Sequence, residues 1–222
     1  FINTGRTIAE IESNITDIGF DGFVCGCGTY ISYQGSVLMH TAIPSDITSM
    51  LMKDICSYQI EAVLEGTSAI YYDSQHLSQR LKKLHDRQKY DLSLNVRDWG
   101  DPDISLDKFC IWPTTQEGSD LFYEKYKYIF DFINRENRLY EVVPKRYSKA
   151  TGIEFLLSYF KISHENTYAL GDSSNDFTML NYVKHSIGMG NSSEDIRGIV
   201  SYITEDVDQD GVAQALKHYN LI

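Results

Sequence analysis

The sequence holds 222 residues, 42% hydrophobic and 23% charged, a composition that fits one large globular domain or two small ones and excludes disorder and collagen-like repeats. With 20 Lys and Arg against 31 Asp and Glu the net charge is −11, so a phosphate-backbone partner meets general repulsion and nucleic acid is not an expected partner. No apolar run reaches the ~18 residues of a membrane span and no leader is visible, so no membrane partner is expected and the cytoplasm is the expected compartment.

In chain order, Phe1-Ile2-Asn3 reads as the tail of a buried strand, and Ile8, Ile11, Ile15 and Ile18 recur at helical spacing until Gly19. Gly22 to Cys25 reads as a second strand, followed by Tyr30 to Tyr33 and a Gln34-Gly35 turn, and 45–57 as a helix behind Pro44 with Ser45 or Asp46 as cap. The middle of the chain changes character. Glu61 to Leu64 and Ala69 to Tyr72 flank a Glu65-Gly66-Thr67 turn as a hairpin, then come a polar helix at about 76–89, a loop from Trp99 to Pro102, a strand at Lys108 to Trp112, a long helix at about 117–134 and a strand at Leu139 to Val143. This block reads as a separate α+β module set into a parallel α/β frame. Beyond Pro144 helix and strand alternate: helix 153–160, strand 167–170, helix 177–183, strand 185–189, helix 194–200, strand 202–204 and helix 211–219, the rhythm of a doubly wound parallel sheet.

Three short patterns are set aside. Cys25 and Cys27 lack a second pair or spaced histidines for a tetrahedral metal site, so the four cysteines read as reduced, mostly buried thiols. Asp206-Val207-Asp208-Gln209-Asp210-Gly211 opens like a calcium loop, but Lys217 stands where the bidentate glutamate belongs, and an acidic turn is the better reading. Asn14-Ile15-Thr16 and Asn191-Ser192-Ser193 match the glycosylation pattern, which is common by chance and needs export.

The chemistry concentrates in Gly171-Asp172-Ser173-Ser174-Asn175-Asp176, where an apolar strand ends and a polar loop runs straight into a helix. At the carboxyl end of a parallel strand, Asp172 and Asp176 would face the crevice in which such sheets bind ligands. Two carboxylates, a carboxamide and free helix N-terminal NH groups suit a hard cation shared with a phosphate, although a merely capped helix start has the same residues. Thr4-Gly5-Arg6 offers a hydroxyl, a backbone NH and a guanidinium to a phosphoryl group, with a helix cap as the alternative. Lys149, ahead of a helix, is either a fixed cation for that phosphate or solvated surface.

Taken in order, Thr4-Gly5-Arg6, a long insertion, Ser148-Lys149, Gly171-Asp172-x-x-Asn175-Asp176, Met189-Gly190-Asn191 and Asp210-Gly211-Val212-Ala213 resemble the haloacid dehalogenase superfamily of phosphohydrolases, nearest its Cof-type branch with a large α/β cap. The resemblance implies a core of residues 1–38 and 142–222 and an inserted cap of residues 39–141. It implies Mg²⁺-dependent hydrolysis of small phosphomonoesters, sugar phosphates or related metabolites, through an aspartyl-phosphate. Thr4 and the Gly5 amide would hold the transferring phosphoryl group, with Arg6 as a further substrate contact. Lys149 would neutralise charge, Asp172 would ligate magnesium, Asn175 would contact phosphate and Asp176 would support the metal shell or the lysine. These groups match what phosphoryl transfer needs, positioning plus cationic stabilisation. The family's Asp-x-Asp strand precedes Thr-Gly-Arg and is not in this sequence; the expectation is therefore an inactive form lacking its first strand and helix, with a non-catalytic phosphate-binding relative or a phosphosugar mutase as alternatives. A second departure is Cys25-Gly26-Cys27-Gly28-Thr29, where relatives more often carry Asn-Gly-Ala. Tyr71, Tyr72, Trp99 and Trp112 are candidates for the cap's inner face, or else for its core.

Overall fold

In the computed structural model, which describes residues 1–92, 94–135 and 137–222, Ile2–Asn3 forms β1 and pairs in parallel with β2, Gly22–Cys25. The expected helix over the four isoleucines does not form. Glu10 folds its carboxylate back onto the Thr7 N–H and hydroxyl at 2.8 and 3.2 Å, which closes a 3-10 turn at Ile8–Glu10, and the backbone leaves it extended at Ile11. A short α1, Ser13–Thr16, follows. Strands β3, Tyr30–Tyr33, and β4, Ser36–His40, return antiparallel, and the turn between them has positive φ at both Gln34 and Gly35, the geometry that matches strand twist. The sheet order is β1-β2-β3-β4.

The insertion builds a second sheet in the same unit, residues 1–147. It comprises α2 (Ser45–Ser57), β5 (Ile60–Glu65), β6 (Ile70–Tyr72), α3 (Gln79–Asp86), β7 (Val96–Asp98), β8 (Lys108–Pro113), α4 (Gln116–Tyr126), β9 (Phe130–Asn134) and β10 (Tyr140–Pro144). The sheet order is β7-β6-β5-β8-β10-β9, antiparallel except for β6 beside β7. Strand alternation assigns the faces. Ala62, Leu64 and Tyr71 join Leu51 and Ile55 of α2 and Phe122 and Tyr126 of α4 in one core; Val63, Ile70 and Tyr72 turn the other way and pack with Leu81 of α3. Tyr71 and Tyr72 are thus fully buried core residues, and Trp99, half-buried, donates its indole N–H to the Tyr71 carbonyl. The long helix expected to 134 stops at 126, because Phe130-Asp131-Phe132 alternates buried and exposed and pairs with β10 instead.

Residues 148–222 form the second unit: α5 (Lys149–Phe160), β11 (Tyr168–Gly171), α6 (Phe177–Tyr182), β12 (His185–Gly188), α7 (Glu194–Arg197), β13 (Tyr202–Ile203) and α8 (Gly211–His218). Its strands are parallel in the order β11-β12-β13, over a core of Ala169, Met179, Leu180, Val183 and Ile196. Helix α5 begins four residues earlier than the periodicity suggests, because Ser148 caps it: the Thr151 N–H donates to Ser148 Oγ at 3.2 Å, and the Ser148 N–H to Thr151 Oγ1 at 2.9 Å. The acidic run at Asp206 forms a turn at Val207–Gln209, with left-handed Asp210 leading into α8. The fold class is α/β, with parallel strands typical of a doubly wound core and an inserted α+β cap region, as the sequence leads one to expect.

Candidate active site

Within residues 148–222 an open cavity of about 460 Å³ lies at the carboxyl end of β11, lined by Lys149, Asp172, Ser173, Asn175, Asp176 and Asn191, among others. The local sequence explains its shape. Asp176 is buried and closes a capping box with Ser173, and a Cβ on Gly171 would lie 2.7 Å from the Asp176 Cβ and Cγ, so only glycine leaves that carboxylate its place. Both Asp176 oxygens are engaged: Oδ1 accepts from Lys149 Nζ at 2.5 Å, while Oδ2 accepts the backbone N–H of Asp172 at 3.1 Å and of Ser173 at 3.3 Å. The Lys149–Asp176 pair is more than nine-tenths buried on both sides, which fixes the ammonium at the cavity wall.

Asp172 is placed differently. Its backbone is held, with its carbonyl accepting from the Ser193 N–H at 3.1 Å, but its carboxylate is exposed and has no partner among the described residues. Asn175 Oδ1 accepts from the Ser173 hydroxyl at 2.6 Å, which fixes the amide and leaves its NH₂ to donate elsewhere. The unit thus presents a rigid cation, a free carboxylate and an amide donor around one cavity. That donor set fits Mg²⁺, which takes one or two protein carboxylates and fills the rest of its shell with water and phosphate oxygens. Among the described residues no group of three or more His, Cys, Asp or Glu could hold a metal by itself. Asp172 is the carboxylate available to such an ion, and Asp176 has both oxygens committed to holding the lysine and the loop.

Thr4, Gly5 and Arg6 belong to the other unit. The Thr4 N–H donates to the Val24 carbonyl at 2.8 Å, the Arg6 N–H to Thr4 Oγ1 at 3.1 Å and the Cys27 N–H to the Thr4 carbonyl at 3.2 Å, so the segment is a tied loop at the end of β1. Gly5 is a close-approach glycine: a Cβ there would stand 2.5 Å from Glu141 Oε1. Sequence reasoning missed Glu141 and the buried cluster around it. Lys108 Nζ lies 3.0 Å from Glu141 Oε1 and also contacts Glu65, and Cys27 Sγ sits 3.5 Å from the same Glu141 oxygen. Burial, reinforced by the Glu10 carboxylate, pushes Glu65 up from 4.5 to about 8, despite Lys108. Burial also opposes charge on Glu141, but the adjacent Lys108 outweighs it and holds that carboxyl below its ordinary value. Burial, with the nearby Glu10 and Asp107, drives the Cys25 thiol up to about 12, so it is no nucleophile at neutral pH.

The family profile of haloacid dehalogenase-like hydrolases matches residues 1–216. Bacillus subtilis (strain 168) YkrA is 25% identical over 225 residues, covering 100% of this chain and 84% of its own length. The 5-amino-6-(5-phospho-D-ribitylamino)uracil phosphatase YitU of the same organism is 32% identical over 79 residues, 36% of this chain and 29% of its own. Among solved structures, the haloacid dehalogenase subclass IIB sugar phosphatase BT4131 matches with a TM-score of 0.80 at 23% identity, covering 100% of this chain and 85% of that one. No helix of the described residues is long and apolar enough to cross a membrane.

Proposed function

The chain belongs to the haloacid dehalogenase-like hydrolase family, and from that premise we propose that it serves Mg²⁺-dependent hydrolysis of small phosphomonoesters, with sugar or polyol phosphates as the substrate class. The observation that carries the reading is the cavity at the end of β11, where the buried Asp176 holds the Lys149 ammonium in place and leaves Asp172 free. Mg²⁺ held by Asp172 would neutralise charge on phosphate oxygens. Lys149 places a fixed positive charge for the same purpose, and Asn175 donates its amide to a phosphate oxygen. In residues 1–147 the Thr4 hydroxyl and the Gly5 amide hold phosphoryl oxygens, Arg6 contacts substrate, and residues 39–141 act as the cap over a core of 1–38 and 142–222. The substrate class is supported by BT4131, a sugar phosphatase, and by YitU, whose substrate is a phosphoribityl compound. An aspartyl-phosphate needs a nucleophilic carboxylate, and this reading assigns that role to no residue of 1–222. The 222 residues are accordingly proposed to supply the phosphate and Mg²⁺ contacts of that hydrolysis and, by themselves, to bind phosphate and its esters without turning them over.

Calorimetric titration with inorganic phosphate tests the reading. Wild-type protein should bind phosphate more tightly as Mg²⁺ is added, and Asp172→Ala should lose that enhancement. Phosphate that fails to bind at any Mg²⁺ concentration, or an enhancement that survives Asp172→Ala, refutes the assignment.

A further inference from the structure

A second, smaller cavity of about 110 Å³ lies wholly within residues 1–147, lined by Arg6, Glu10, Arg87 and Gln88 together with three leucines. Its outer wall is unusual backbone: Arg87–Asp91 winds as a π-helical turn directly after α3, a geometry concentrated at functional positions. The turn is anchored, since the Leu92 N–H donates to the Arg87 carbonyl at 3.0 Å and the Leu94 N–H to the Gln88 carbonyl at 2.9 Å.

Gln88 gives the cavity its chemistry. It is only 9% exposed, and its Oε1 accepts from the buried Tyr72 hydroxyl at 2.5 Å. In this arrangement the Gln88 NH₂ has no hydrogen-bond partner among the described residues. Its two hydrogens are open to an acceptor that enters the cavity. Arg87 likewise has no ion pair among the described residues, and Arg6 is tied only by an exposed 3.4 Å contact with Glu12. Two guanidiniums and an amide donor thus surround a cavity whose one carboxylate, Glu10, has an oxygen already engaged by Thr7. Donors exceed acceptors in a chain of net charge −11, so the lining is built against the general field of the molecule.

We propose that this cavity is a specificity pocket for a second anionic group, a carboxylate or a second phosphate, carried at the far end of the phosphomonoester substrate. Glu10 accepts from a neighbouring hydroxyl of the same substrate. The inference rests on the phosphomonoester reading and deepens it. Thr4 and Arg6 are two residues apart, so the phosphoryl-holding loop and this pocket are within about 7 Å of backbone of each other. One small sugar acid or bisphosphorylated polyol can reach both. The volume admits a charged head and no more, far below the roughly 300–1,000 Å³ that encloses a whole drug-sized ligand.

Calorimetry on the 222-residue protein with Mg²⁺ tests it with three probes: glucose 6-phosphate, whose far end is uncharged, 6-phosphogluconate, which carries a carboxylate there, and fructose 1,6-bisphosphate. The expected result is that at least one of the two probes with a second anionic group, 6-phosphogluconate or fructose 1,6-bisphosphate, binds about tenfold or more tightly than glucose 6-phosphate, as a desolvated charge-assisted contact provides. The Kd ratio should collapse toward 1 in Arg87→Met and, independently, in Gln88→Leu. Which of these two probes is favoured identifies carboxylate or phosphate. Equal binding of all three probes, or a ratio that both variants leave intact, overturns the pocket while the phosphomonoester reading stands. Failure of every probe, glucose 6-phosphate included, overturns both.

Discussion

Replacing Glu65 by glutamine should remove a pH dependence that the buried cluster under Gly5 imposes on stability. Glu65, Lys108 and Glu141 are all buried, with Glu10, Cys27, Cys110 and Arg135 among the further ionisable neighbours, so two carboxylates share one ammonium where water cannot compensate the remaining charge. Glu141 takes the ionised share, and burial followed by Glu10 raises Glu65 from its ordinary 4.5 to about 8. The sign follows from proton counting. Between these two values the folded state binds a proton that the unfolded chain has released, so stability falls as pH rises and is at its lowest once pH passes 8. Each pH unit inside the window costs about 1 kcal/mol. Glu141, lowered by Lys108, acts below its ordinary 4.5, and the thiols of Cys25 and Cys110, raised by burial, titrate above 9.0, so neither overlaps the window. Asp107 is also raised from 3.8 by burial, and comparing wild type with Glu65→Gln at each pH cancels its contribution. Both tryptophans, Trp99 and Trp112, lie in residues 1–147, so urea unfolding followed by tryptophan fluorescence reads the relevant unit. Wild type should lose stability steadily from pH 5 to pH 8, and the glutamine variant should lose little and overtake it. Parallel curves for the two proteins would refute the shared-proton account.

Gly5→Ala drives a Cβ to 2.5 Å from Glu141 Oε1, and Lys108 prevents that carboxylate from swinging clear. The variant should lose about 1–3 kcal/mol in the same urea assay and bind phosphate more weakly; a loss under ~0.5 kcal/mol would mean the loop yields freely. Lys149→Met leaves the Asp176 carboxylate buried with only backbone donors, at a cost of about 3 kcal/mol to residues 148–222. Amide exchange across 168–177 should accelerate accordingly and recover in Lys149→Met/Asp176→Asn, whereas no recovery would place the lysine's contribution outside the pair.

The cavity at the end of β11 was legible because its geometry is local. Gly171, Asp172, Asn175 and Asp176 fall within six residues of one strand-to-helix junction, and the cap and turn rules that place them act over three or four residues. Lys149 stood out only through the order of the motifs, because the periodicity starts α5 at 153 and the Ser148 cap that puts the lysine in its first turn was not read. The cluster of Glu65, Lys108 and Glu141 was not, because each comes from a different strand and only the pairing brings them together. Glu65 stands opposite Lys108 between β5 and β8, and Glu141 opposite Cys110 between β8 and β10. In sequence each reads as the solvent side of an alternating strand, and register is a non-local property. The same limit explains the misplaced helix at 117–134, whose end pairs with β10, whereas the one at 8–18 was lost to a local turn that Glu10 closes on Thr7 and that the isoleucine spacing masks.

The buried cluster also bears on why the phosphate-holding loop has the residues it has. A carboxylate directly under Gly5 is a poor neighbour for an anion, since like charges at this range and burial repel strongly. Lys108 offsets the charge of Glu141, and a proton on Glu65 removes the second negative charge of this trio below pH 8. Above it the floor carries a net negative charge beneath the Gly5 amide. What remains under neutral conditions is geometry: Glu141 occupies the space a side chain at position 5 would need, and it contacts Cys27, whose N–H holds the Thr4 carbonyl. One buried oxygen thus touches Cys27 and bars a side chain at position 5, while Thr4 is held by backbone bonds to Val24 and Cys27. On this account Glu141 holds Cys27 and leaves position 5 room only for glycine, and Glu65 determines the pH range over which the cluster gains a second negative charge.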